Sequence, residues 1–175
     1  MLKSALETVT GREIRFRNAM DLGCGTGLSG AAFRPNCDRL SGIDLSPNMI
    51  EAAREKELYD SLEVGDFLTL LREKKDPFDL VIAADVLVYI GDLAPVFQSV
   101  RSCLNRDGYL VFSTEKTDRE GYVLRDTGRY AHSREYIESL AERSGFSLLA
   151  CRTANIRKDR EAWIEGNLFV LGAKA

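Results

Sequence analysis

The sequence holds a single histidine and only four cysteines, and Cys24, Cys37, Cys103 and Cys151 form no CxxC pair and have no histidine beside them. So few ligands argue against zinc, and no metal is expected. The scatter is equally unlike a disulfide framework, so the thiols read as buried groups in a reducing compartment. Also missing is any apolar run near the ~20 residues that a membrane-spanning helix needs. The first dozen residues carry Lys3, Glu7 and Arg12 in place of an apolar signal-peptide core, which points to a cytoplasmic protein with no membrane span. There is no basic excess: the net charge is −3 and the pI about 5.3, so bulk electrostatics gives no reason to expect a nucleic acid as partner. Internal repeats and low-complexity tracts are absent as well.

What is present is an ordinary globular composition, 45% hydrophobic and 29% charged, in a chain sized for one domain spanning residues 1–175. Apolar segments alternate with helical patterns from residue 18 to 144, as in a parallel sheet covered by helices on both faces. Six or seven strands are predicted. The first ends near Leu22, the second spans 39–44, a short third spans 61–65, and the fourth, 78–84, is apolar throughout and therefore central. Ser46-Pro47 starts a helix, with serine as cap and proline at the first helical position, where its missing N–H costs nothing. Asp92 is placed to cap a helix whose Leu93, Val96, Phe97, Val100 and Leu104 share one face. Residues 105–108 read as a turn before a strand at 109–113, and the polar, glycine-dotted stretch 114–132 as a long loop. A last helix over 133–144 turns Tyr136, Ile137 and Leu140 inward, and Gly145 ends it. Segments 146–156 and 168–173, joined by a charged connector without helical periodicity, suit an antiparallel hairpin. The expected fold is thus α/β: a Rossmann-like, doubly wound sheet of about seven strands, mostly parallel, closing on that hairpin.

The densest signal is Asp21-Leu22-Gly23-Cys24-Gly25-Thr26-Gly27, where an apolar run breaks into three alternating glycines as a helix should begin. Glycine permits φ > 0 and lets the backbone lie flat against a ligand, which is the design of a nucleotide-cofactor cradle. The acid at the strand end adds a constraint. A diphosphate would be repelled by Asp21, whereas a cofactor carrying an ammonium group would be tolerated or preferred. Asp44 follows a second strand end, 21 positions after Gly23, the distance at which an acid reaches both hydroxyls of a ribose in a βαβ unit.

Glycine turn, acid in front and acid behind together resemble the class I S-adenosylmethionine-dependent methyltransferases, of the ubiquinone-biosynthesis type that includes domains found behind tetratricopeptide repeats. The likeness runs from Asn18 to Ala173 and is stronger for the cofactor half. It implies S-adenosylmethionine as cofactor and S-adenosylhomocysteine as product. The backbone of Gly23, Cys24, Gly25, Thr26 and Gly27 would contact the methionine part, with Asp21 near its ammonium group. Asp44 would hold the ribose, and Leu45 and Met49 would flank the adenine. Asp66 would accept from the adenine amino group while the N–H of Phe67 approaches the ring, and a helix cap is the bland alternative for that acid. Ala83, Ala84 and Asp85 occupy the position where the family places the methyl group and the acceptor.

The acceptor half says most by omission. There is no N-P-P-Y or D-P-P-Y segment for a planar amino group, and no paired glutamates for a guanidinium. A small-molecule acceptor, methylated on O, N or C, is the expectation. His132 is a candidate general base near neutral pH and also a candidate capping or surface residue; Tyr89, Arg129 and Tyr130 are further candidates for the acceptor pocket. Fewer than twenty residues precede the first strand, where many relatives carry lid helices. Either the site is open, residues 114–132 close it, or the chain is the C-terminal part of a longer protein. Two other readings stand beside methyl transfer: an NAD-linked oxidoreductase of Rossmann type, and a cofactor-binding regulator without activity.

Overall fold

Every residue except Arg12, Lys75, Arg160, Glu161 and Ala175 is described by the computed structural model of the chain. In order the elements are α1 (Leu2–Thr10), β1 (Phe16–Leu22), α2 (Leu28–Phe33), β2 (Cys37–Asp44), α3 (Pro47–Arg54), β3 (Ser61–Val64), α4 (Phe67–Glu73) and β4 (Phe78–Ala83). Then follow α5 (Ala94–Cys103), β5 (Leu104–Lys116), β6 (Tyr122–Leu124), β7 (Tyr130–His132), α6 (Arg134–Arg143), β8 (Phe146–Asp159) and β9 (Ala162–Ala173). The strands form one sheet in the order β3-β2-β1-β4-β5, parallel throughout that run. β9 pairs antiparallel with β5, and β8 with β9, so the predicted C-terminal hairpin is present.

Strand alternation sorts the core into two layers. Met20, Leu22, Val81, Ala83, Phe112 and Phe169 point to the face covered by α4, α5 and α6. Their neighbours Ala19, Leu80, Ile82, Val111, Leu168 and Val170 point to the other, where Leu2, Leu6 and Phe33 cover them. Phe97 meets Phe112 edge-on at 5.6 Å and Phe112 stacks on Phe169 at 5.0 Å, which locks α5 to the sheet. By the same parity Asp21 falls on the layer of α1 and α2, inside an apolar environment.

Register decides the site. Asp21 lies beside Gly42 on one side and Ile82 on the other, and Ala83 lies beside Phe112, so the C-terminal ends of β1, β2, β4 and β5 form one row. The glycine turn, Asp21, Asp44 and Asp85 sit along it, and Asp66 follows β3, one strand beyond β2. Among the described residues no helix is long and apolar enough to cross a membrane.

Three sequence expectations change. The stretch 114–132 is not a loop: β5 continues to Lys116, and the rest folds back as the hairpin β6–β7, with β7 parallel to the end of β5. Its polar residues misled because several are core residues, Thr114 and His132 being fully buried and Glu115 nearly so. Residues 105–108 belong to β5, at a bulge where Phe78 pairs with Leu104 but Leu80 with Tyr109. The final strands are longer than their apolar parts, because backbone pairing carries the hairpin past the sheet.

Candidate cofactor site

The cradle is built from backbone first. Gly23, Gly25 and Gly27 have φ of 61°, 53° and 86°, all in the left-handed region that glycine enters without strain. Gly23 has a second requirement, since a Cβ there would lie 2.3 Å from Cγ2 of Val86. Gly23→Ala is therefore expected to cost about 2 kcal/mol of stability, read as a lowered urea midpoint; an unchanged midpoint would show that Val86 moves aside. The turn is held to β2 by Cys24 N–H donating to the Ile43 carbonyl at 3.0 Å.

Asp44 organises the middle of the site. Its Oδ2 accepts from Gly25 N–H at 2.8 Å and its Oδ1 from Ser46 N–H at 2.9 Å, so one carboxylate ties the glycine turn to the start of α3. Ser46 Oγ in turn caps α3 through Met49 N–H, as its position before proline predicts. Beside Asp44 the apolar side chains of Leu45 and Met49 are 70% and 42% exposed, an arrangement that leaves apolar surface in water next to a carboxylate. Asp66 stands one strand over, tied in because Gly65 N–H donates to the Asp44 carbonyl at 3.0 Å. Asp66 caps α4 by accepting from Leu68 and Thr69 N–H, and it remains exposed, so the capping role does not close it to a ligand. Phe67 turns its ring into the core, leaving only its backbone at the site.

Asp21 is the unusual member. It is fully buried, its Oδ2 accepts from Ser29 Oγ and Tyr59 Oη at 2.7 Å each, and its Oδ1 has no partner. Burial without a counter-cation pushes its carboxyl up to about 6, against the opposing pull of the two hydrogen bonds. Tyr59 and Ser29 are site residues that sequence reasoning missed. The available trace was indirect: Gly30 leaves room for the Tyr59 phenol, which a Cβ at that position would meet at 2.3 Å.

At the far end Ala83 is buried, Ala84 half-buried and Asp85 exposed, in the sequence order that brings the chain up to the mouth. Tyr89 is 61% exposed at the rim, with the Arg129 guanidinium 5.6 Å from its ring centroid. Tyr130 packs edge-on against Tyr122 in the β6–β7 hairpin. His132, read as a candidate base or as a capping or surface residue, is not at the surface. It is fully buried between the rings of Tyr122 and Tyr136, and its Nε2 donates to the Ile90 and Gly91 carbonyls at 3.0 and 2.9 Å. Burial lowers its pKa. It is a strut between β7 and the segment after Tyr89. His132→Ala should cost about 2 kcal/mol of stability while leaving cofactor affinity unchanged; a stable variant with reduced turnover would restore the catalytic role. Cys24, Cys37 and Cys103 are buried free thiols, as expected, and Cys151 is half-buried.

Comparison with known proteins agrees with this geometry. Residues 20–110 match the family described as a methyltransferase domain. The chain is 33% identical over 105 residues to nodulation protein S of Rhizobium tropici, covering 57% of this chain and 43% of that protein. It is 25% identical over 116 residues to a ubiquinone biosynthesis O-methyltransferase of Actinobacillus pleuropneumoniae, covering 62% and 50%. The chain thus spans about half the length of these curated relatives. Its fold superposes with a TM-score of 0.78, at 21% identity and covering 99% of this chain and 86% of the other, on the crystal structure of the N-methyltransferase NodS from Bradyrhizobium japonicum with S-adenosyl-L-homocysteine. With a family match over half its length, a sheet of that order and a glycine cradle flanked by acids, the chain belongs to the class I S-adenosylmethionine-dependent methyltransferases.

Proposed function

We propose that this chain transfers a methyl group from S-adenosylmethionine to an O, N or C atom of a small molecule. The carrying observation is Asp44, whose two oxygens fix the glycine turn and α3 while its flank of exposed Leu45 and Met49 offers an apolar surface for a base. Asp44 would hold the ribose hydroxyls and Asp66 the adenine amino edge. The backbone of Gly23, Cys24, Gly25, Thr26 and Gly27 would receive the methionine part. Asp21 brings a buried oxygen without a partner, suited to an ammonium group directly or through water. When bound, the cofactor supplies an electrophilic methyl group on a sulfonium. The protein's own work is then to align the acceptor above Ala83 and Ala84, near Tyr89, and to keep water out.

An NAD-linked reaction fits less well, because a diphosphate would lie against an acid that already lacks a counter-cation. Calorimetric titration with S-adenosylhomocysteine and with NAD separates the two: saturable binding of the first alone supports methyl transfer, and binding of NAD alone would overturn it. Saturable S-adenosylhomocysteine binding with no methyl transfer to a broad acceptor panel would instead favour a regulator. A cytoplasmic setting and a small-molecule partner belong to the same proposal.

A further inference from the structure

Asp85, two residues past the end of β4, is one of two non-glycine residues with positive φ among those described, at 53°. Such a conformation persists in an aspartate where the surroundings fix it. Here they do. Ser113 Oγ, from β5, accepts the Asp85 N–H at 2.9 Å. Arg157 reaches across from β8, donating through Nη1 to Asp85 Oδ1 at 2.8 Å and through Nη2 to the buried Glu115. The Arg157 side chain is only 14% exposed, whereas that of Asp85 is 44% exposed. One oxygen of Asp85 is thus pinned from behind while the side chain stays open in front.

In front lies a cavity of about 270 Å³ between α1, α2 and the strand ends, lined by Asp85 and Ser113 together with Leu28, Phe33, Ala84 and Ile156. Lys3, which also lines it, pairs with Glu7 at 4.0 Å. Two carboxylates and one guanidinium leave the cluster with one net negative charge beside largely apolar walls. We propose that Asp85 is an acceptor-facing residue, that Arg157 is the residue that positions it, and that the acceptor is an amine with an apolar flank. The inference rests on the methyltransferase reading above.

Charge development supports the amine. In N-methylation the nitrogen lone pair forms the new N–C bond, the C–S pair returns to sulfur as a neutral thioether, and the nitrogen becomes cationic before it releases a proton. A carboxylate paired with a guanidinium is too weak a base to ionise a hydroxyl, but it is a suitable counter-charge for a nitrogen turning positive.

The test needs no acceptor. Sinefungin carries an amine-bearing carbon where S-adenosylhomocysteine has sulfur, so its amine occupies the region of the transferred methyl. The affinities of both compounds are measured by calorimetry for the wild-type chain and for Asp85→Asn, since asparagine tolerates the left-handed backbone as well as aspartate does. The expected result is a roughly tenfold loss for sinefungin with S-adenosylhomocysteine unchanged. Arg157→Lys, which keeps the charge but cannot span both carboxylates, should reduce the same ratio about threefold, and an unmoved ratio would remove Arg157 from its positioning role. Equal affinities in wild type and Asp85→Asn, or equal losses for both compounds, would overturn the inference alone. Failure of the wild-type chain to bind either compound would sink the methyltransferase reading itself.

Discussion

Asp44→Ala is expected to weaken S-adenosylhomocysteine binding by roughly 3 kcal/mol, about 150-fold, because it would remove the proposed ribose acceptor and loosen the cradle in one step. Each oxygen of Asp44 already accepts a backbone N–H, one from Gly25 and one from Ser46. Asparagine cannot replace it, since an amide offers one acceptor and would turn its NH2 toward one of those donors. Asp44→Asn should therefore bind nearly as poorly as the alanine variant. A thermodynamic cycle separates the direct contact from loop support. The 2′-deoxyribose analogue of S-adenosylhomocysteine should lose affinity against the wild type and lose little further against Asp44→Ala. Equal losses against both proteins would mean that Asp44 supports the turn without touching the ribose.

Asp21→Asn should stabilise the cofactor-free protein at pH 8, by up to about 3 kcal/mol, an unusual outcome for a residue at the centre of a site. The folded carboxyl has a pKa of about 6 against an ordinary 3.8, so the folded state holds more protons across that interval. Its stabilising contribution is complete below 3.8 and is lost as the pH rises through 6. His132 works in the opposite sense: burial lowers its pKa below 6.5, so stability is lost as acid charges the unfolded state's imidazole first. In the wild type the two partly offset each other on acidification. The asparagine variant should keep only the histidine's loss, so that its urea midpoint falls between pH 8 and pH 5 more steeply than that of the wild type. Superimposable pH profiles for the two proteins would show that Asp21 does not carry its charge uncompensated. A cofactor ammonium would supply the missing counter-charge, and wild-type affinity for S-adenosylhomocysteine should accordingly decline below pH 6, with no such decline in the variant.

Much of the site was legible because its parts are local. A glycine at φ > 0 declares itself where a strand meets a helix, and acids at successive strand ends repeat at intervals set by one βαβ crossover. Asp21, Asp44 and Asp66 could be read that way, as could the serine cap of α3 and the buried stripe of α5. His132 was misread for the complementary reason. A histidine in a polar stretch looks exposed, but the backbone pairing of Tyr122 with His132 folds that stretch into a hairpin and drives the imidazole inward.

Sequence alone determined the run of strands from β1 to β5, the closing hairpin, the glycine turn and the carboxylates at the strand ends, but not α1 or the β6–β7 hairpin, since each of the former follows from hydrophobic period or backbone freedom within a few residues of chain. Tertiary structure alone decided how those carboxylates are partnered. Tyr59 reaches Asp21 from 38 residues away and Arg157 reaches Asp85 from 72. Contacts of that separation depend on strand register and on which layer a side chain enters, and these are set by the packing of the whole sheet.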